Sequence, residues 1–172
     1  MSTTRVNKTQ LCIGITALLV GVLVYLVDRP PDTAYFLTGW AKNISLYGRI
    51  PTIFGPVGKN FPAFAHVFSF ILITAGILGS RRRGYLYICI FWLFIDGAFE
   101  LGQRYDSLPL MFIPSWFEGI PFLENTANFF RLGTFDYRDL ASFFLGTVVA
   151  YIVLLVTMER REFHETEVHQ IL

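Results

Sequence analysis

The chain has 172 residues, 53% of them hydrophobic and only 16% charged, with 14 Lys and Arg against 13 Asp and Glu. That balance marks an integral membrane protein and excludes an ordinary water-soluble domain. The net charge of +1, with basic residues in small separate groups, also excludes the continuous cationic face that a nucleic-acid partner requires.

Crossing a bilayer takes roughly 20 apolar residues at 1.5 Å each. Four segments qualify, at about residues 11–27, 61–78, 85–101 and 139–158. The first follows Arg5 and Lys8 and continues to Val27 without a small-residue cleavage site, so it reads as a retained helix and not a signal peptide. Pro56 and Pro62 lie around the start of the second, where proline suits a first turn. Arg81-Arg82-Arg83 makes a tight basic connection to the third span, and Arg160-Arg161 follows the fourth. All these basic groups fall on one side of a four-span protein, which the positive-inside rule makes cytoplasmic. The expected architecture is a single all-α membrane domain over residues 1–172, a four-helix transmembrane bundle with both termini cytoplasmic. Cys12 and Cys89 both sit in apolar runs and read as small buried hydrophobes and not as a disulfide.

Two longer connections, about residues 28–60 and 102–138, are rich in aromatics for segments exposed to water. Tyr35, Phe36, Trp40, Tyr47 and Phe54 stud the first, and Met111, Phe112, Trp116, Phe117, Phe122, Phe129 and Phe130 the second. Such residues favour the lipid headgroup region, so both are expected to be structured, lying along the outer interface or folding over the bundle as a lid or a docking face. His164 and His169 in the charged tail are spaced i, i+5, poor for sharing a metal on one helix.

The chemistry concentrates on the third span. Asp96, Glu100 and Gln103 recur at i, i+4 and i+7, one helical stripe bearing two carboxyls and an amide. A carboxylate inside a membrane helix costs several kcal/mol by most scales and therefore faces protein or a wet cavity. His66 near the start of the second span and Asp139 at the start of the fourth reach the same half of the bundle. Helices packing 8–10 Å apart would let these groups line one polar pocket. Three readings follow. The pocket binds an envelope lipid or headgroup; or the polar residues only lock the helices of an accessory subunit in a larger membrane complex; or they serve metal-assisted chemistry on a lipid-linked substrate. With one histidine and no cysteine nearby, no catalytic residue, metal ligand or cofactor is assigned. Gly14 and Gly21 on the first helix, Ala75 and Gly79 on the second, and Gly146 and Ala150 on the fourth suit close helix approach. A stripe left over on the first helix, together with the aromatic connections, would suit docking on a larger complex.

His66 opening a span, Glu100-Leu101-Gly102-Gln103 ending the next, and the run from Gly133 to Ala141 leading to Gly146 together resemble the VanZ-like family of small bacterial membrane proteins. The likeness covers about residues 61–151. It implies a multispanning cell-envelope protein in a bacterial inner (cytoplasmic) membrane, with no settled reaction to carry over. Where the family usually has Asn four residues after the acid corresponding to Asp139, this chain has Phe143.

Overall fold

The first helix begins where its backbone donors find an acceptor. The Asn7 side chain takes the Gln10 N–H at 3.3 Å, so α1 runs Lys8–Asp28 and starts ahead of the apolar stretch itself. The computed structural model describes residues 6–31, 43–105, 107–120 and 123–171, with side chains through Met158 except those of Ser107 and Leu108. Tyr35, Phe36, Trp40 and Phe122 lie outside the described residues, as do the side chains of His164 and His169.

A 3-10 turn at Gly55–Lys59 leads into α2, Phe61–Leu78, with Pro62 in its first turn. Gly79 ends α2 at φ 56°, a left-handed geometry that costs glycine nothing, and its N–H returns to the Ala75 carbonyl at 3.0 Å. After this sharp stop α3 runs Arg82–Arg104 antiparallel to α2. A short helix α4, Ser107–Leu110, 3-10 turns at Ser115–Phe117 and Leu123–Asn125, and α5, Thr126–Leu132, fill the connection to α6. Helix α6 spans Tyr137–Ile171, 35 residues, and carries its backbone well past the apolar part that ends at Met158. Among the described residues four helices are long and apolar enough to cross a membrane, and the fold is all-α.

Helix α2 is the hub, packing against α1, α3 and α6, while α6 also packs on α3 and α1 leans chiefly on α2. The core joins Val67, Ile71, Leu72 and Ala75 of α2 to Tyr85, Ile88 and Cys89 of α3 and to Phe143, Ala150 and Leu154 of α6. Missing side chains set the closest approaches. A Cβ on Gly14 would meet Ile73 at 2.9 Å and the Ser69 carbonyl at 3.0 Å, and one on Gly21 would meet Ala65 at 3.2 Å. The small residues of α1 are thus spent on α2, so no stripe of glycines is left on α1 for an outside partner. Cys12 is free and exposed on α1, contrary to the buried position its apolar surroundings suggest, and Cys89 is free and buried.

Candidate functional site at the end opposite the arginine turn

Where α1 ends, α2 begins, α3 ends and α6 begins, the bundle gathers polar side chains. Asp28 is the last residue of α1, an unfavourable place for a negative charge beside a helix's free carbonyls. The structure shows what it does there: its carboxylate accepts the backbone N–H groups of Ile53, Phe54 and Gly55 at 3.0, 2.8 and 3.0 Å. It pins the approach to α2. Arg29 beside it donates to the Lys59 carbonyl and lies over the Tyr25 ring at 5.3 Å.

Glu100 and Asp139 belong to this collar. Glu100 is buried on α3, and its Oε1 accepts the Asp136 N–H at 2.7 Å, tying α3 to the lead-in of α6. Asp136 in turn accepts the Arg138 N–H at 2.8 Å. Asp139, half-buried in the first turn of α6, accepts from the Asn60 amide at 2.8 Å, which ties α6 to the start of α2. Both acids and Arg29 lie within electrostatic reach of Tyr25 on α1. The amide of Gln103 lies over the backbone of Gly133, where a Cβ would come within 2.6 Å of Nε2. The ring of Phe130 on α5 crosses Gly102 and stacks on Phe99 at 5.5 Å.

His66 and Asp96 form a separate pair on the seam between α2 and α3. His66 Nδ1 faces Asp96 Oδ1 at 3.4 Å. The two differ sharply in exposure: the Asp96 side chain is 6% exposed and the imidazole 47%. Asp96 Oδ2 is buried with no hydrogen-bond partner among the described residues. One turn further in, the Phe70 ring meets His66 edge-on at 4.4 Å and lies 4.8 Å from Trp92, whose Nε1–H donates to Thr74 at 3.0 Å. The five residues singled out by sequence therefore divide: Glu100, Gln103 and Asp139 hold neighbouring elements, and His66 with Asp96 makes an acid–imidazole pair whose outer face is open.

No family model, curated protein or solved structure matches the chain. Phe143, at the position where the VanZ-like pattern carries an amide, is buried in the apolar core and contributes nothing polar to the collar. Among the described residues no three His, Cys, Asp or Glu side chains come together as a metal set. Sequence reasoning did not single out Asp28, Asn60 or Asp136 as partners. Asp28 carried a signal, a carboxylate at the wrong end of a helix; Asn60 and Asp136 act through partners distant in sequence and carried none.

Proposed function

We propose that this protein is a non-catalytic membrane protein that binds an envelope lipid, with His66 and Asp96 as the contact and Glu100, Gln103 and Asp139 as the frame that holds the helix ends in place. The observation that carries the reading is the mismatch within the pair. A buried carboxylate here faces an imidazole that remains half open on the outside of a helix seam, and ionisable groups held inside a membrane span point to a functional site. The basic Arg81–Arg83 turn at the other end supports placing this end toward the outer leaflet of a bacterial inner membrane, with both termini cytoplasmic. The likeness to the VanZ-like pattern at His66, Glu100 and Gln103 is consistent with an envelope role.

The test is mass spectrometry of lipids retained by the full chain after gentle extraction. Wild-type protein carries one lipid class in excess of the bulk membrane; Asp96→Asn and His66→Ala lose that excess, and Glu100→Gln keeps it. Equal lipid content in all four would refute the reading.

A second reading has its own support. Glu100, Gln103 and Asp139 each engage a neighbouring segment, as expected of an accessory subunit whose polar residues only lock its packing. Stoichiometric co-migration with one large complex, with His66→Ala and Asp96→Asn carrying the same lipids as wild type, would favour it.

A further inference from the structure

The His66–Asp96 seat is short of donors. Opposite a carboxylate, which only accepts, an uncharged imidazole presents an N–H at Nδ1, 3.4 Å from Asp96 Oδ1, and leaves Nε2 as an acceptor. Asp96 Oδ2 is a second acceptor, buried and without a donor among the described residues. A group that completes this seat must donate a hydrogen bond; a phosphate or carboxylate, which brings only acceptors and negative charge, does not.

Depth separates the remaining donors. Helix α2 has 18 residues, about 27 Å at 1.5 Å each, little short of the roughly 30 Å hydrocarbon layer, so its ends have no slack to spare. Asn60 before it and Gly79-Ser80-Arg81 after it mark the two boundaries. His66 lies six residues inside the first, about 9 Å below it, and Asp96 eight residues, about 12 Å, below the end of α3. An ammonium at that level must be stripped of water as a second ion, a cost that pairing with the carboxylate only partly repays, while a hydroxyl loses far less on leaving water. Phe70 and Trp92 beneath the seat give an apolar wall for the chain that carries the hydroxyl.

Resting on the lipid-binding reading above, we infer that the occupant is an uncharged lipid with a free hydroxyl, such as a diacylglycerol or an isoprenoid alcohol, which donates to His66 Nε2. The test uses the full chain in micelles with equimolar dioleoylglycerol and its acetate ester, which differ only in that hydroxyl, read by native mass spectrometry. Wild-type protein should favour the alcohol by roughly two- to tenfold, the worth of one hydrogen bond. His66→Phe, which keeps a ring against Phe70 and removes the nitrogen, should erase the preference. Equal binding of alcohol and ester by the wild type overturns the inference, and this comparison stands even if the variant does not fold. Displacement of the alcohol by phosphatidylethanolamine or phosphatidylglycerol, in a manner sensitive to Asp96→Asn, overturns the inference and leaves the lipid-binding reading intact. Free glycerol competing as well as dioleoylglycerol would show that the seat holds a soluble hydroxyl compound and overturn it too. Lipid binding indifferent to both His66 and Asp96 removes both.

Discussion

Gly146 on α6 is the tightest point between α6 and α2, and replacing it with alanine tests that packing. The new methyl would sit 2.6 Å from Val67 Cγ1 and 2.9 Å from the Phe64 carbonyl oxygen. Val67 is fully buried, and the Phe64 carbonyl oxygen belongs to the helical backbone of α2 and moves only with it. Overpacking of this kind costs about 1–3 kcal/mol. Alanine returns about 0.8–1 kcal/mol through its better helix propensity, and with a backbone atom in the way the overpacking wins. The expected net loss is about 0–2 kcal/mol, or up to roughly 8 °C in Tm for a chain of this size. Gly97 on α3 is the internal control: a Cβ there has nothing within 4 Å, so Gly97→Ala keeps the helix gain and should equal or exceed wild type. Thermal unfolding followed by circular dichroism in one detergent measures all three proteins side by side. Gly146→Ala gaining as much stability as Gly97→Ala would refute the close approach, and Val67→Ala in the same chain should return part of the loss.

Three other outcomes follow from the contacts at the polar end. Asp28→Ala leaves the Ile53, Phe54 and Gly55 amides without their acceptor, at a cost of about 1–3 kcal/mol, and hydrogen exchange at those three amides should quicken before any change in the core. Glu100→Gln retains an oxygen for the Asp136 N–H and should cost little, whereas Glu100→Leu strands that donor and should cost about 1–3 kcal/mol in the same unfolding assay. Met111, Phe112 and Trp116 are among the most exposed apolar side chains of the connection after α3; in bilayers, Trp116 fluorescence should be quenched by lipids brominated near the headgroup more strongly than by those brominated at the chain ends, and the reverse would place this segment elsewhere.

The spans were legible because apolar runs of this length have one outcome in a bilayer, and the 61–78 boundaries need no adjustment. The other helices reach beyond their apolar runs for local reasons that hydropathy does not record: Asn7 caps α1, and polar residues such as Gln103 and Arg104 continue α3 as helix. The stripe of Asp96, Glu100 and Gln103 was legible from helical spacing alone. Its division into an open pair and a closed collar was not, because Asn60, Asp136 and Gly133 act on it from segments without periodicity. The pairing of His66 with Asp96 did leave a trace. Each lies fifteen residues from Arg81, and Phe70 and Trp92 each lie eleven, so a tight hairpin centred there sets them opposite one another. Reading that register needs the sharpness of the turn, which Gly79 supplies.

Helix α6 is continuous from Tyr137, two residues before Asp139, to Ile171. At 1.5 Å per residue it is a rod of about 50 Å, longer than the bilayer core it crosses. A rod of that length works as a lever: a 5° tilt about its Asp139 end sweeps the far terminus through about 4 Å. Any change of angle at the Asn60–Asp139 clasp is thereby magnified into a displacement of several ångströms at the rod's far end.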